Sequence, residues 1–262
     1  MSGQMEEQRI INAFTSGLNI QYQGKIHVVD FAVKPHYGSG EGKTDAYIRC
    51  TDGTEIKIST KASNADFIEN KISLERYRRI FGNDFAPLLS AINSLKQQFL
   101  DRQIIYPTKT GRIEAGSYTM GWRVDIVNKQ SGVLCAPLPI TTEQKINIFF
   151  GGNLEENKRN ALINGQTIYN SGVANALLLN SENYKTAQEI LDALIQPEDY
   201  QVPLYIAFKA VNYRSLSDKI DGNRPLGVAI DWTNHNNPKF IFDKPLQYGA
   251  KNDMLKIFKE HI

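Results

Sequence analysis

The chain has 262 residues and a formal net charge of +2, with 41% hydrophobic and 22% charged residues. This length can bury the core of one large domain or two small ones, and the composition is ordinary for a globular protein. The small net charge excludes a polycation that coats nucleic acid, so any DNA contact must come from a local basic surface. We expect no membrane span, because no apolar run approaches ~20 residues, and no signal peptide, because residues 1–9 lack an apolar segment.

The two cysteines, Cys50 and Cys135, are scattered among four histidines. No Cys-x-x-Cys or His-x-x-x-His spacing occurs, so we do not expect a structural zinc site. Cysteines without a disulfide framework favour a reducing compartment, and we predict a cytoplasmic protein.

The first hundred residues predict a helix, a strand, a β-hairpin and further helices. Residues 5–14 carry an apolar stripe at helical spacing, which predicts an amphipathic helix. Residues 25–33 are dense in β-forming residues and precede Pro35, which predicts a strand. Residues 67–81 and 87–100 repeat apolar residues at helical spacing. This order predicts an α/β fold with a mixed central β-sheet flanked by helices.

The rest of the chain predicts a strand-rich region. We predict strands at 112–127, 145–150, 203–211, 226–232 and 239–242, and helices at 184–195 and 253–261. A boundary near residues 101–110 would separate a first domain (1–105) from a strand-rich part (106–262). Alternatively, the two parts form one continuous domain.

Residues 43–61 predict two strands joined by a tight turn, and they contain the main functional clue. Asp45 begins the first strand, and polar and apolar side chains alternate along the second, so one face is buried and the other lines a wet site. The polar side chains of the second strand are Glu55, Lys57, Ser59 and Lys61. An acid that faces an acid-x-lysine pattern can hold a divalent metal beside an amine that handles protons, which suits hydrolysis of a phosphodiester.

This segment resembles the motif of the PD-(D/E)XK phosphodiesterase superfamily, in particular of Type II restriction endonucleases. The resemblance extends over roughly the first 100 residues and includes an upstream helix with carboxylates, a strand, the hairpin and a following helix. It implies that an aspartate and a second acid bind Mg²⁺ and that a lysine orients or deprotonates the attacking water. By spacing, Asp45, Glu55 and Lys57 fit this motif directly.

Hairpin geometry supports a different alignment. Residues 51–53 (Thr-Asp-Gly) suit a three-residue loop with Gly53 in the left-handed conformation. Pairing then places Arg49 opposite Glu55, Tyr47 opposite Lys57 and Asp45 opposite Ser59. Glu55 would lie about 13 Å from Asp45, at ~3.3 Å per residue, which is too far to share one metal.

The second alignment uses Asp45, Ser59 and Lys61, and Glu6 or Glu7 of the first helix supplies the missing acid. We keep both alignments open at this point, and Asp45 belongs to each.

The resemblance implies a Mg²⁺-dependent endonuclease that cuts double-stranded DNA, specifically a sequence-specific Type II restriction enzyme. Because a duplex has two strands, we expect a homodimer, and a cognate DNA methyltransferase would be its protecting partner. The basic residues that could contact DNA are Lys71, Arg78, Arg79, Arg112 and Arg123. Two alternatives are a structure-specific nuclease of junctions or repair and a catalytically inactive DNA-binding module with the same fold.

Overall fold

The computed structural model describes residues 3–38, 42–61, 67–201, 203–214, 226–246 and 251–261. Its contacts divide the chain into two compact units. The first unit comprises residues 1–65 and 140–201, and the second comprises residues 66–139 and 202–262. Each unit is therefore built from two separate stretches of chain.

Helices and strands alternate along the described residues. The strands are β1 (Asn19–Tyr22), β2 (Lys25–Val33), β3 (Ala46–Cys50), β4 (Glu55–Lys61), β5 (Phe67–Glu69), β6 (Ile105–Tyr106), β7 (Ser117–Val127), β8 (Cys135–Pro137), β9 (Ala161–Ile163), β10 (Gln166–Ile168), β11 (Ala176–Leu179), β12 (Tyr205–Arg214), β13 (Leu226–Asp231) and β14 (Lys239–Pro245). The helices are α1 (Gly3–Ala13), α2 (Leu74–Phe81), α3 (Ala86–Ser94), α4 (Lys96–Leu100), α5 (Thr142–Phe149), α6 (Glu156–Arg159), α7 (Ala187–Asp192) and α8 (Lys251–His261). None of these helices is both long and apolar enough to cross a membrane.

The first unit is organised around a mixed five-stranded sheet in the order β1-β2-β3-β4-β11. Neighbouring strands are antiparallel, except that β11 runs parallel to β4. Apolar residues of α1 and α7 pack with the buried face of β3 and β4, where Ile48 and Ile58 are fully buried. Burying one such side chain contributes about 1.5–3 kcal/mol. A mixed sheet with helical cover confirms the predicted α/β class.

The second unit contains a larger antiparallel sheet in the order β14-β13-β7-β12-β8, and β5 and β6 also pair with β7. The central strand β7 is buried along almost its whole length. The Phe99 ring meets the rings of Trp122 and Phe208 edge-on, with centroids 5.2 and 5.1 Å apart. These aromatic side chains therefore serve as core.

The predicted boundary near residues 101–110 falls inside the second unit, so it does not coincide with the division that the contacts make. The physical reason is the parallel pairing of β11 with β4. Parallel neighbours need a crossover connection, and here the connection passes through a whole stretch of the second unit. Local composition carries no trace of a crossover of this kind.

Most predicted elements are present. The predicted strand at 25–33 is β2 with the same bounds, and the strands predicted at 203–211, 226–232 and 239–242 correspond to β12, β13 and β14. The strand predicted at 112–127 is the shorter β7. The helices predicted at 5–14, 184–195 and 253–261 correspond to α1, α7 and α8 with shifted ends.

One predicted element is wrong, and two others are divided in the structure. Residues 145–150 belong largely to α5 instead of a strand, because Thr141 and Gln144 form a reciprocal capping box that starts a helix. The helix predicted at 67–81 is the short strand β5 followed by α2, which Ser73 caps. The helix predicted at 87–100 is two helices, α3 and α4, which meet at Leu95.

Two glycines let β13 approach β7 very closely. A β-carbon on Gly227 would lie 1.9 Å from the Trp122 carbonyl oxygen. At Gly121, where φ is +145°, it would lie 2.2 Å from the Val228 carbonyl oxygen. Since both obstacles are backbone atoms, a side chain at either position must displace a strand.

We expect Gly227→Ala to lower the free energy of unfolding by about 2–4 kcal/mol, because overpacking against backbone cannot relax. Urea denaturation followed by tryptophan fluorescence measures this, since both tryptophans, Trp122 and Trp232, lie in the second unit. Gly38→Ala is the control, because a β-carbon there has nothing within 4 Å. Equal midpoints for the two variants would contradict the prediction.

Candidate active site

The β3–β4 hairpin has the register that its loop predicts. The Cys50 amide donates to the Thr54 carbonyl and the Gly53 amide to the Cys50 carbonyl, each at 2.9 Å, and Gly53 has φ +87°. Arg49 pairs with Glu55. The predicted loop at residues 51–53 and the predicted pairing are both confirmed.

Asp45 lies just before β3 and is held at the far end of β4. Its amide donates to the Ile58 carbonyl at 2.8 Å. Its carboxylate Oδ2 accepts hydrogen bonds from the Thr60 amide at 2.6 Å and from the Thr60 hydroxyl at 3.2 Å. Among the described residues, no hydrogen bond to Oδ1 is found, so that oxygen is available to another ligand.

Several charges act on the partly buried Asp45 carboxylate. Burial raises the pKa of Asp45, while the Lys61 ammonium and the Thr60 hydrogen bonds lower it. The Glu7 carboxylate raises the pKa of Asp45 further. The carboxylate of Asp45, just before β3, therefore interacts electrostatically with the Glu7 carboxylate of α1 and with the Lys61 ammonium at the end of β4.

The choice between Glu6 and Glu7 is decided by the direction in which each side chain points. Glu6 is buried and forms an ion pair with Arg9, whose guanidinium also donates to the carbonyls of Ser181 and Tyr184. Glu6 therefore anchors α1 within the first unit. Glu7 instead lines the same cavity as Asp45 and forms an ion pair with Lys34.

This cavity has a volume of about 190 Å³. It is lined by Glu7, Lys34, Pro35, His36, Tyr37, Gly42, Thr44 and Asp45. Lys61 is not part of the lining, although its charge acts on Asp45. The Thr44 hydroxyl is buried and has no hydrogen-bond partner among the described residues. Because buried polar groups are nearly always paired, this hydroxyl suits a cavity that receives a polar ligand.

Glu55 and Lys57 form a separate group farther along the hairpin. The Tyr47 hydroxyl donates to Glu55 Oε1 at 2.5 Å, and the Lys57 ammonium lies 3.8 Å from Glu55 Oε2. The Lys57 ammonium also donates to the Asn170 carbonyl at 3.1 Å. In the observed register Glu55 lies about 13 Å along the strand from the level of Asp45. The structure therefore does not bring Asp45, Glu55 and Lys57 together at one metal site.

Ser59 is fully buried, and its hydroxyl has no hydrogen-bond partner among the described residues. Unlike Thr44, Ser59 does not line the cavity that Glu7 and Asp45 border. We therefore do not retain Ser59 as a catalytic group.

The basic residues predicted to contact DNA all belong to the second unit, and three of them are exposed. Lys71 lies in the turn before α2, Arg78 lies on α2, and Arg112 lies in the loop before β7. Exposed cations on one unit are compatible with phosphate contacts.

The other two predicted DNA contacts have acidic partners. Arg79 donates to Glu75 at 2.7 Å one helical turn away. Arg123 lies on β7, 3.5 Å from the fully buried Asp125. The Asp125 carboxylate also accepts a hydrogen bond from the Lys71 amide at 2.7 Å. Arg123 therefore compensates a buried charge in the sheet, which is a structural role.

The residues that the sequence interpretation missed are Lys34, His36 and Thr44 in the cavity and Thr60 behind Asp45. Lys34 and His36 flank Pro35 immediately after β2, and polar residues in the loop that follows a predicted strand are a signal that could have found them. Nothing in the local pattern separates Thr44 or Thr60 from ordinary strand residues.

The donor set at the cavity fits Mg²⁺. Glu7 and Asp45 supply two carboxylates, and Mg²⁺ is usually bound through one or two carboxylates together with water and substrate phosphates. Both carboxylates border one cavity. Burial raises the pKa of Asp45 and the Glu7 charge raises it further, and a divalent cation would favour the ionised form of both carboxylates.

Comparison of the chain with protein-family models, with curated proteins and with solved structures finds no match in any of the three. The chemistry of the cavity residues is therefore the basis for assigning a function.

Proposed function

We propose that this chain is a Mg²⁺-dependent endonuclease that hydrolyses phosphodiester bonds of double-stranded DNA, in the manner of a Type II restriction enzyme of the PD-(D/E)XK superfamily. One observation carries the proposal: the carboxylates of Glu7 and Asp45 border one cavity, and the Lys61 ammonium acts on the same Asp45 carboxylate. The elements that supply them are a helix, the start of a hairpin and its second strand, in the order that the superfamily resemblance implies.

In this proposal Glu7 and Asp45 hold the metal, and the Thr60 amide and hydroxyl keep the Asp45 carboxylate oriented through Oδ2. When bound, Mg²⁺ would neutralise phosphate charge and acidify a water ligand. Lys61 orients or deprotonates the attacking water, and its positive charge stabilises the negative charge that develops on the phosphate oxygens.

The remaining residues of the cavity assist in binding. Lys34 holds Glu7 through an ion pair and adds positive charge where an anionic backbone would enter. The Thr44 hydroxyl offers a donor to a phosphate oxygen or to a bound water. His36 lines the same space. We infer that these groups position the scissile phosphate, while Lys61 acts on the attacking water.

The exposed cations of the second unit, Lys71, Arg78 and Arg112, would contact the DNA backbone, with each contact adding to the salt dependence of binding. Two copies related by a two-fold axis would cut both strands, and a methyltransferase of matching specificity would protect the host DNA.

The test is incubation of the purified protein with plasmid DNA and Mg²⁺, with EDTA as the control. Discrete fragments that require the metal support the restriction-type proposal. Cleavage confined to branched substrates would replace it with a structure-specific nuclease. Binding without metal-dependent cleavage on any substrate would replace it with a non-catalytic DNA-binding module.

We expect Glu7→Gln to reduce cleavage and Glu6→Gln to reduce stability. Loss of an outer-shell partner of a metal site typically costs 10–100-fold, so loss of a direct ligand in Glu7→Gln should reduce cleavage at least about 100-fold with little change in stability. Glu6→Gln removes the partner of Arg9 and should lower the free energy of unfolding by about 1–2 kcal/mol.

Cleavage assays at matched folded concentration, together with thermal melts, separate the two effects. Equal losses of cleavage in both variants would mean that the two glutamates do not divide into a ligand and an anchor.

A further inference from the structure

Three side chains with metal-ligating atoms converge at the turn end of the first unit's hairpin. His27 lies on β2, Cys50 ends β3 and Asp52 belongs to the loop that follows. Their ligand atoms all lie within 4.8 Å of one another. They meet because β2 pairs with β3, so that Val29 faces Cys50 and the Thr51 amide donates to the Val28 carbonyl at 2.9 Å.

The sequence predicted no structural zinc site because no ligand-spacing motif occurs, yet this cluster brings three possible ligands together. Motif spacing detects ligands that lie on one local segment, whereas strand pairing joins residues that are far apart in sequence. The cluster also lies at the opposite end of β3 from Asp45, about 16 Å away at ~3.3 Å per residue, so it is separate from the proposed catalytic site.

The two ring nitrogens of His27 face oxygen atoms that carry lone pairs. His27 Nε2 lies 3.3 Å from the Tyr22 carbonyl oxygen, and Nδ1 lies 2.7 Å from Asp52 Oδ2. A carbonyl and a carboxylate both accept, so a neutral imidazole, which carries a single N–H, can donate to only one of these two oxygens. A cation bound between Nδ1 and the carboxylate would leave that N–H on Nε2 for the Tyr22 carbonyl, so that both contacts are favourable at once.

The same arrangement is typical of a metal-ligating histidine. One ring nitrogen binds the metal, and the N–H of the other ring nitrogen donates to a backbone carbonyl, which orients the ring. The Cys50 sulfur adds a soft ligand, and a nitrogen, sulfur and oxygen donor set suits zinc far better than Mg²⁺.

We propose that His27 Nδ1, Cys50 Sγ and Asp52 Oδ2 form a binding site for Zn²⁺ or a similar thiophilic divalent transition metal. A solvent water completes the tetrahedron, because the Asp52 side chain is 50% exposed and provides an entry path, whereas His27 is only 6% exposed. The bound ion clamps the hairpin turn to β2.

The ligand atoms must move by roughly 1 Å to bind one ion, and this includes the Cys50 sulfur, which lies within 4.8 Å of the other two. Ligand atoms on a tetrahedral zinc lie about 3.3–3.6 Å apart, given metal–ligand distances of about 2.0–2.3 Å. The His27–Asp52 contact must therefore widen by less than about 1 Å, which rotation of the exposed Asp52 side chain achieves. Binding breaks the Cys50 S–H bond, forms a metal–sulfur bond and releases the proton to solvent.

Titration of the full chain with Co²⁺, a spectroscopic substitute for Zn²⁺, tests the proposal. We expect one equivalent of Co²⁺ to produce thiolate-to-metal charge-transfer absorption, which added Zn²⁺ removes, and we expect Zn²⁺ to raise the melting temperature. Cys50→Ser should abolish the absorption, and Cys135→Ser should retain it, because Cys135 is the other buried free cysteine and belongs to the second unit.

Asp52→Asn tests the site with a variant that should still fold, because the substitution changes a half-exposed loop side chain. It should weaken Co²⁺ binding at least 10-fold while the protein without metal still melts cooperatively. If wild-type protein develops no charge-transfer absorption, or if the absorption persists in Cys50→Ser, the proposal is overturned and the His27–Asp52 contact is a hydrogen bond that closes the hairpin.

Discussion

Asp45→Asn should abolish Mg²⁺-dependent cleavage without lowering the melting temperature. The asparagine keeps the shape of the side chain and an oxygen that accepts the Thr60 hydrogen bonds. It removes a carboxylate whose pKa is raised, first by burial and also by Glu7. A raised pKa means that folding disfavours the ionised form, so at neutral pH the charge at this position costs stability.

The pH dependence follows from the same shift. The stability advantage of Asp45→Asn should be complete above the raised pKa of Asp45, where folded and unfolded wild-type chains both carry the charge. It should vanish as the pH falls below the ordinary value of 3.8, where both states are protonated. On acidification the stability of the wild type therefore approaches that of the variant.

Thermal melts across this pH range, together with plasmid cleavage at neutral pH, measure both effects. Asp52→Asn provides a comparison within the same hairpin, because the pKa of Asp52 is lowered to about 2, first by the hydrogen bond from the Thr54 amide and then by the contact with His27. Folding favours the ionised form of Asp52, so this variant should not gain stability at neutral pH. A lower melting temperature for Asp45→Asn at neutral pH, with cleavage intact, would show that the carboxylate has a structural role and no catalytic one.

Lys61→Ala should reduce cleavage by about 100–1,000-fold, the typical cost of removing one group that stabilises developing charge. Lys57→Ala is the matched control on the same strand. Its ammonium is engaged with the Asn170 carbonyl and lies near Glu55, so its loss should affect mainly stability. Cleavage compared at equal folded concentration distinguishes the two lysines.

Two further measurements define the role of Lys61. Because its ammonium lowers the pKa of Asp45, Lys61→Ala should shift the pH dependence of Mg²⁺ binding to higher pH. Lys61→Arg should restore part of the activity if the cation stabilises charge, and none if it removes a proton, because arginine stays protonated. Loss of cleavage in Lys57→Ala with full activity in Lys61→Ala would reverse our assignment.

The hairpin was predictable because its determinants are local. A glycine in the left-handed conformation at residue 53 closes a three-residue loop, and the loop sets the pairing of every residue beyond it. That register was enough to separate Glu55 from Asp45. Local signals also predicted β2 and the amphipathic α1, whereas the capping box that begins α5 was present in the sequence and overlooked.

The partners of Asp45 were not predictable in the same way. Glu6 and Glu7 are adjacent on one helix and look equivalent in a periodic pattern. In the structure Glu6 forms an ion pair with Arg9, which also donates to the carbonyls of Ser181 and Tyr184. Those carbonyls lie on a segment far along the chain. Lys34 and Thr44 also border the cavity only because separate segments of the chain meet there.

By itself the sequence determined the α/β class, the strand-turn-strand segment and the position of Asp45 within it, because propensity, alternation and loop length act between near neighbours. Tertiary structure alone decided which glutamate faces that carboxylate, how two separate stretches of chain make each unit, and that His27 meets Cys50 and Asp52. These outcomes depend on strands and helices brought together across long stretches of chain, and the free energy of such contacts depends on packing that no local window of residues contains.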